Sequence, residues 1–383
     1  MKLTGEWLAR DETQAVCAAL TGGGYQALLV GGCVRNTLLG EPVTDIDIAT
    51  DALPLTVSVL AEAAGLRPVP TGIEHGTVTV IARGVPHEVT TFRRDVETFG
   101  RHATVAFSHR VEDDAARRDF TMNALYATPD GSVIDPLGGM PDLLARRVRF
   151  VGDAHQRIAE DYLRILRFFR FHARYGDPGE GLDPGGLAAC AAHSDQIGTL
   201  SRERIGAEMR KLLAARDPAP AVAAMAQSGV LPAVLPGADA RALPILVHLE
   251  AGVPIHWIRR LAVIDSADAG SHLRLSRSEA ARLRAIREEV GAARGPAELG
   301  YRHGADIAAD IVLARAAVLE TALPEDWQAS VALGAQARFP LSGADLMPGL
   351  RGPALGARLK LLEDRWIASG FRLSRDDLLR RTE

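Results

Sequence analysis

The chain lacks the features that mark secreted, zinc-clustered and membrane proteins. Its three cysteines, Cys17, Cys33 and Cys190, are too widely separated to indicate a disulfide framework or a zinc cluster. No apolar run approaches the roughly 18 residues that span a bilayer. Residues 1–10 carry polar and acidic side chains where a secretory signal needs an apolar stretch. These absences argue against a membrane protein and predict a cytoplasmic one.

Lysine is also scarce, because it occurs only at Lys2, Lys211 and Lys360, and arginine supplies the remaining positive charge. The formal net charge of −4 argues against a uniformly basic nucleic-acid binder but leaves room for local basic patches. The arginines have two interpretations, phosphate recognition or genomic base composition, and composition alone does not separate them.

The sequence has enough apolar residues for a large interior, with a hydrophobic fraction of 47% and a charged fraction of 24%. Single cores usually stop growing at roughly 250–300 residues, so this length of 383 residues predicts two to four domains. In the first part of the chain, short strand-like runs alternate with helical ones between Gly, Pro and Asp turns. The strand-like runs are Ala27–Gly31, Asp45–Thr50, Thr77–Ala82, Pro86–Phe92 and Ser132–Asp135.

After about Arg147 the pattern becomes helical, with apolar residues at three- and four-residue spacing. The helical runs are Ala159–Tyr175, Ser201–Ala214, Ala219–Gln227 and Ser278–Val290. Breakers predict junctions at Gly176–Gly186, Pro232–Pro236, Gly291–Pro296 and Phe339–Gly352. We therefore predict an α+β protein in which a mixed head precedes an all-α remainder.

A glycine turn in the head is a candidate phosphate-binding site. An apolar run ends at Gly31 and Gly32, and a short helical run, Val34–Leu39, follows. Glycines let the backbone approach a phosphate, and the free N–H groups that open a helix favour an anion. Arg35 adds a fixed positive charge. Taken alone, such a turn is more often only a tight connection.

Acidic and aliphatic residues alternate over residues 45–48, which on a strand places the carboxylates of Asp45 and Asp47 on one face. Two adjacent like charges are unfavourable without a cation between them, and Mg²⁺ prefers carboxylate and phosphate oxygens. A later alternating run exposes a third acid, Glu88, beside Thr90. We predict that Asp45 and Asp47 hold Mg²⁺ and that Glu88 is catalytic. The alternative is an exposed strand with solvated acidic residues.

Four motifs then occur in order along the chain, at residues 31–35 (GGCVR), 45–47 (DID), 117–124 (RRDFTMNA) and 160–164 (EDYLR). This ordered set resembles the signatures of the class II tRNA nucleotidyltransferase and bacterial poly(A) polymerase family. The resemblance continues through Ser201–Ile205 with Glu208 and Lys211, and more weakly at Gly343–Leu346 and Gly352-Pro353. One position departs from the family, because Asn36 stands where an acidic residue is usual.

The resemblance implies a polymerase-β-like head (residues 1–145) followed by a helical neck (146–215), body (216–295) and tail (296–383). It also implies two-metal phosphoryl transfer that adds CMP and AMP, from CTP and ATP, to the 3′ end of tRNA without a nucleic-acid template. In the head, the implied nucleotide-binding residues are Gly31, Gly32, Arg35, Arg117, Arg118, Asp119 and Asn123. In the neck they are Glu160, Asp161, Arg164 and Arg167.

Asp161 and Arg164 are three residues apart in the strongest helical pattern of the chain, so we expect them to share a helix face. A carboxylate accepts from the exocyclic amine of cytosine or adenine, and a guanidinium donates to the adjacent ring nitrogen. Uracil and guanine present a carbonyl instead, and unpaired buried polar groups give discrimination on the order of 10⁴. The resemblance implies that this pair selects CTP and ATP while Glu160 orients the arginine. A surface salt bridge is the alternative.

The remaining aromatic and loop residues have simpler interpretations. Phe168, Phe169, Phe171 and Tyr175 are spaced as a core-facing stripe rather than as stacking residues for bases. Arg167, Arg170 and Arg174 are equally compatible with tRNA backbone contacts and with an ordinary charged surface. Residues 92–111 show little periodicity and predict a mobile loop that contains Gly100, Arg101 and His102. In the family, such a loop accompanies addition of the terminal adenosine.

Three alternatives share parts of this pattern. A bacterial poly(A) polymerase has the same fold and chemistry, although the long basic extensions expected for binding arbitrary RNA are lacking here. A transferase that adenylylates a small molecule also uses an Asp-x-Asp head, but the long helical remainder disfavours it. A non-catalytic RNA-binding descendant is disfavoured by the intact Asp45 and Asp47. The sequence leaves the oligomeric state open.

Overall fold

The computed structural model describes residues 2–99, 102–264, 268–347 and 349–380. The chain divides into two compact units, Met1–Val234 and Leu235–Glu383. This division falls inside Pro232–Pro236, one of the predicted junctions. The further division into head, neck, body and tail stays a prediction, and residues 216–234 of the expected body belong to the first unit.

The first unit combines a sheet with helices. Its strands are β1 (Leu28–Val30), β2 (Asp47–Thr50), β3 (Arg67–Gly72), β4 (Thr77–Ala82), β5 (Val85–Thr91), β6 (Arg93–Phe99), β7 (His102–Phe107), β8 (Tyr126–Ala127) and β9 (Val133–Ile134). Its helices are α1 (Glu6–Ala9), α2 (Asp11–Gly22), α3 (Gly32–Leu39), α4 (Pro54–Ala63), α5 (Val111–Ala116), α6 (Met140–Leu144), α7 (Ala154–Glu160), α8 (Leu163–Tyr175), α9 (Pro184–Ala192), α10 (Arg202–Leu213), α11 (Ala219–Gln227) and α12 (Val230–Val234). Short 3₁₀ helices span Ile73–His75, Thr121–Asn123 and Ser194–Thr199.

Seven strands form one mixed sheet in the order β3-β4-β5-β2-β1-β8-β9. Strand β2 runs parallel to β5 and antiparallel to β1, so it lies near the middle of the sheet. Alternation explains β4, where Val78, Val80 and Ala82 are buried while the threonines and the isoleucine between them are partly exposed. A core cluster that includes Leu28, Phe92 and Tyr126 packs beneath the sheet. The predicted α+β class is confirmed.

The predicted mobile loop over residues 92–111 is wrong in its main part. Strands β6 and β7 pair as an antiparallel two-stranded sheet, with Arg93 opposite Phe107 and Phe99 opposite His102. This pair is separate from the seven-stranded sheet, so it lacks the strict alternation that a strand acquires over a core. Gly100 and Arg101 lie outside the described residues.

A second correction concerns the neck, where the pattern predicted one helix over Ala159–Tyr175. Helix α7 ends at Glu160, and α8 begins at Leu163. Asp161 between them has an extended backbone, with φ −154° and ψ 104°. Asp161 is therefore at a helix break and not on the same helix face as Arg164.

The second unit is helical throughout its described residues. Its helices are α13 (Ala242–Leu249), α14 (Trp257–Ile264), α15 (Ala269–His272), α16 (Arg277–Val290), α17 (Pro296–His303), α18 (Ala305–Val318), α19 (Trp327–Gln336), α20 (Gly352–Ala368) and α21 (Arg375–Leu379), with a 3₁₀ helix at Gly343–Leu346. An aromatic cluster of Tyr301, Phe339, Trp366 and Phe371 lies in this unit. In the part of the chain that the structure describes, no helix is both long enough and apolar enough to cross a membrane.

Candidate nucleotide-binding and catalytic site

The structure brings two of the predicted carboxylates side by side. Strands β2 and β5 are parallel neighbours, and Asp47 is the register partner of Glu88. Adjacent strands lie about 4.8 Å apart, so these side chains emerge next to each other. Asp45 precedes β2 instead of lying on it, and its carboxylate accepts a hydrogen bond from Thr44 Oγ1 at 3.0 Å. Ile46 is buried, as predicted.

The electrostatics around Asp47 are those of crowded negative charge. Burial raises the pKa of Asp47, Glu88 and Asp45 raise it further, and Arg118 and Arg35 oppose them, which leaves the pKa at about 6. A cation beside this carboxylate would relieve the repulsion. Within the described residues, no three His, Cys, Asp or Glu side chains gather around one point. A metal ion here would therefore depend on two carboxylates and on oxygens from the substrate.

The glycine turn lies directly over two guanidinium groups. Gly31 has φ 69° and ψ −117°, a left-handed conformation that favours glycine, and it caps α3. A Cβ atom at Gly31 would lie 3.3 Å from Nη1 of Arg118. A Cβ atom at Gly32 would lie 3.9 Å from Nη2 of Arg35. The turn thus combines backbone N–H groups at a helix start with two positive charges.

Asp114 and Tyr126 hold the guanidinium group of Arg118 in place. Its Nη2 lies 2.9 Å from Asp114 Oδ2, and its Nε donates to the Tyr126 hydroxyl at 3.0 Å. Tyr126 in turn donates to Asp114 at 2.7 Å. The neighbouring Arg117 ends α5, and its carbonyl accepts from Arg164 Nη2 at 3.2 Å. The backbone of the head motif therefore contacts the neck motif.

A buried chain of hydrogen bonds connects the turn to α8. Arg35 Nη1 donates to Asn123 Oδ1 at 2.5 Å, and Asn123 Nδ2 donates to Asp119 Oδ1 at 2.9 Å. Arg167 Nε donates to Asp119 Oδ2 at 2.8 Å. Burial alone would raise the pKa of Asp119, but Arg167 and the hydrogen bonds from Asn123 and Phe120 hold it below its ordinary value. The structure thus joins three predicted nucleotide-binding residues to Arg167.

The neck residues have partners that the sequence did not predict. Arg164 Nη1 donates to Glu160 at 2.5 Å and to the Arg157 carbonyl at 2.6 Å. Asp161 does not pair with Arg164; its carboxylate accepts from Arg204 Nη2 at 2.7 Å and from the Leu163 backbone N–H at 3.1 Å. Because the helix breaks at Asp161, its carboxylate faces α10. Both side chains are therefore preorganised by separate partners.

Some of the predicted head and neck residues line one cleft of about 310 Å³ in the first unit. Its walls consist of Arg118, Asp119, Asp161, Leu163, Arg164, Arg167 and Arg204. Arg204 was not among the predicted site residues, although the family-like motif at residues 201–205 contains it. A larger cleft of about 810 Å³ lies near the other end of α8 and contains none of the predicted site residues.

The aromatic stripe of α8 packs in the interior, as predicted. Phe168 and Phe169 have no exposed surface, and Phe171 and Tyr175 are also buried. Arg35, Arg167 and Arg170 each lie within 5.4 Å of the centroid of the Phe171 ring. The stripe therefore also supports the arginines of the site from below.

The profile of the poly A polymerase head domain matches residues 27–149, and the profile described as a probable RNA and SrmB-binding site of polymerase A matches residues 182–241. CCA tRNA nucleotidyltransferase 1, mitochondrial, of Homo sapiens is 43% identical over 190 residues, 49% of this chain and 44% of that protein. The CCA-adding enzyme of Geobacillus stearothermophilus is 40% identical over 229 residues, 59% of this chain and 55% of that protein. The chain is therefore similar to the class II tRNA nucleotidyltransferase and poly(A) polymerase family over residues 27–149 and 182–241.

The chain spans about half the length of the curated relatives it matches. Solved structures extend the likeness in fold. A crystal structure of Bacillus stearothermophilus CCA-adding enzyme in complex with CTP superposes with a TM-score of 0.71 at 29% identity, over 94% of this chain and 92% of that chain. Thermotoga maritima CCA-adding enzyme complexed with tRNA has the same fold, with a TM-score of 0.71 at 18% identity over 95% and 92% of the two chains. The nucleotidyltransferase family to which these matches point uses a divalent metal ion.

Proposed function

We propose that this chain adds CMP and AMP, from CTP and ATP, to the 3′ end of tRNA without a nucleic-acid template. One observation carries the proposal: Asp47 and Glu88 emerge side by side, and the electrostatic environment of Asp47 includes Asp45, Arg118 and Arg35. Paired acids beside a cationic glycine turn suit phosphoryl transfer, where catalysis depends on positioning and charge stabilisation. The sequence relatives named as CCA-adding enzymes support this choice of reaction.

We propose further that the metal is Mg²⁺ and that Asp45 and Asp47 hold it. The oxygen-only donor set fits this ion, and the pKa of Asp47 is raised first by burial and then by the neighbouring carboxylates of Glu88 and Asp45, whose repulsion a cation would relieve. When bound, the metal would assist deprotonation of the attacking 3′ hydroxyl and neutralise charge on the triphosphate and the leaving pyrophosphate. Glu88 would add to the negative field that holds the cations in this two-metal reaction.

We propose that the phosphates and the base of the incoming nucleotide contact different parts of the site. Arg118 and Arg35, under the glycine turn, would contact the triphosphate, because a guanidinium group presents a fixed fork of donors. Arg117, Asp119 and Asn123 would position the ribose and phosphates. Asp161 and Arg164, both of which line the 310 Å³ cleft, would read the base edge. A uracil or guanine carbonyl would face the carboxylate of Asp161 and be rejected.

The test supplies tRNA that ends before its CCA with CTP, ATP, both, UTP or GTP, and sequences the 3′ ends. Ordered addition of two cytidines and one adenosine is expected. A chain that adds only adenosines, to any RNA, would replace the proposal with the poly(A) polymerase alternative. No incorporation with any RNA would reject a polymerase function. The cytoplasmic location expected from the sequence remains a prediction, since the human relative is named as mitochondrial.

A further inference from the structure

Arg35 is a buried cation that lacks a carboxylate partner among the described residues. It is 7% exposed, and its hydrogen bonds end on the side chains of Asn36, Asn123 and Tyr175, all of them neutral. Burial lowers its pKa, and interactions with Tyr175 and with the carboxylate of Asp119 oppose this shift. A buried charge is unfavourable unless it is paired. The groups that stabilise the Arg35 guanidinium in the interior are therefore of interest.

Two neutral groups hold the same end of the guanidinium. Asn36 Oδ1 accepts from Nε at 3.1 Å and from Nη2 at 2.8 Å, while Asn36 Nδ2 donates to the Pro42 carbonyl at 2.8 Å. This last bond fixes the amide with its oxygen toward Arg35. The Tyr175 hydroxyl also accepts from Nη2, at 2.7 Å. The Tyr175 ring centroid lies 4.1 Å from Arg35 Cζ, within cation–π range.

The position of Arg35 matters for the glycine turn above it. Nη2, the atom that Tyr175 and Asn36 hold, is also the atom that lies 3.9 Å from the Cβ position at Gly32. A small rotation of the guanidinium would change the positive field at the turn. Arg35 also donates to Asn123, whose amide contacts Asp119, so the same rotation would disturb the wall of the cleft.

We propose that Tyr175 is a positioning residue of the nucleotide site, whose hydroxyl and ring hold Arg35 under the glycine turn. With Asn36, it supplies what one carboxylate at position 36 would supply alone. Hydrogen bonds to an ionised acceptor are roughly twice as strong as those between neutral groups, so a neutral Asn36 needs a second acceptor. This inference rests on the proposed function.

The test uses the full chain and compares Y175F with N36D/Y175F. The Phe ring keeps the cation–π contact and removes only the hydroxyl. The hydroxyl also accepts from Arg174 Nε at 3.0 Å, so Y175F removes one hydrogen bond from each of two arginines. Loss of the bond to Arg35 should raise the KM for CTP by about three- to tenfold with kcat nearly unchanged. In N36D/Y175F, a carboxylate in the place of the Asn36 amide oxygen should accept the same two N–H groups and return the KM to within about twofold of the wild type.

Y301F is a matched control in the second unit. The Tyr301 hydroxyl donates to Glu363 at 2.6 Å, so this change also removes a hydroxyl that is bonded to a charged side chain. It should lower the melting temperature and leave the KM for CTP unchanged. An unchanged KM in Y175F would overturn the inference. So would an equal loss in the N36D background, or a fall in kcat and melting temperature without a change in KM.

Calorimetric titration with CTP, without tRNA, separates this inference from the proposed function. Weaker CTP binding by Y175F and its recovery in N36D/Y175F would support the role of Tyr175 even if the wild type added no nucleotide to tRNA. Conversely, normal CCA addition with CTP binding identical in all variants would leave the proposed function intact and reject the role of Tyr175.

Discussion

Two sets of buried charge, one in each unit, differ in how their charges are compensated. In the second unit, Arg259 and Arg260 are 2% and 1% exposed and are fully paired. Arg259 lies 2.6 Å from Glu250 and 3.0 Å from Asp310, and Arg260 lies 2.8 Å from the other oxygen of Glu250. In the first unit, buried Arg35 has only neutral partners, and Asp47 has acidic neighbours. We infer that the charges paired within the protein stabilise the fold, and that Arg35 and Asp47 bind charged ligands.

Removal of an uncompensated charge should therefore reduce activity and spare stability. We expect D47A to lower nucleotide incorporation by at least about 10³-fold, since the main charge that positions the metal is lost. Its melting temperature should stay the same or rise, because one of several crowded negative charges disappears. Single-turnover incorporation of CMP and a thermal melt measure the two effects.

D130N is the control for D47A. Asp130 is 61% exposed at its side chain and accepts hydrogen bonds from Thr128 and Ser132, so D130N should leave incorporation unchanged and lower the melting temperature only slightly. Full activity of D47A would reject the metal assignment. A large loss of stability in D47A would show instead that Asp47 belongs to the fold and would break the contrast between the units.

Removal of a compensating charge in the second unit should have the opposite result. E250Q leaves Arg259 and Arg260 buried with one carboxylate fewer, and such losses cost about 3–5 kcal/mol of the free energy of unfolding. Denaturant unfolding measures this change. D239N is the matched control, because Asp239 pairs with Arg241 on the surface at 2.6 Å, and its change should be too small to measure. Equal effects of the two variants would remove the structural role of the buried cluster.

Asp161 is an intermediate case, paired with Arg204 but still 33% exposed at the cleft. We expect D161A to keep part of its activity and to reduce the preference for CTP over UTP by about 10- to 100-fold, since the acceptor for the exocyclic amine is lost. The ratio of kcat/KM values for the two nucleotides measures selectivity. R170A is a comparison from the adjoining helix α8, because Arg170 pairs with Glu208 away from the cleft wall, and it should leave the ratio for CTP over UTP unchanged. Uniform loss for all nucleotides in D161A would contradict base reading.

The sequence predicted these carboxylates better than their partners. Alternation over residues 45–48 and 87–92 identified Asp47 and Glu88, but local periodicity does not determine which strands pair. Parallel pairing of β2 with β5 is what brings the two acids together. The break at Asp161 escaped detection for a related reason. Its carboxylate bonds to Arg204, which is 43 residues away, and tertiary contacts of this kind override a continuous helical pattern.

Strands β6 and β7, which the sequence did not predict, also depend on pairing that local patterns do not determine. They form a sheet of two, separate from the seven-stranded sheet, and local periodicity does not reveal such a pairing. Arg204 was overlooked as a cleft residue because it lies on α10, remote in sequence from Asp161. Local patterns thus predicted most of the elements, and the family resemblance named most of the cleft residues, whereas the long-range pairs required the structure.

The smallest expected effect is the stabilisation of the folded protein by added Mg²⁺. If Asp45 and Asp47 bind Mg²⁺ only in the folded state, Mg²⁺ at about ten times its dissociation constant adds about 1.4 kcal/mol to the free energy of unfolding. Denaturant unfolding with and without MgCl₂, at constant ionic strength, measures this increment. NaCl at equal ionic strength controls for screening. D45N/D47N should lose the increment while E250Q retains it, because Glu250 already has two arginine partners. An equal Mg²⁺-dependent increase in the free energy of unfolding of D45N/D47N would show that the metal binds elsewhere and not at Asp45 and Asp47.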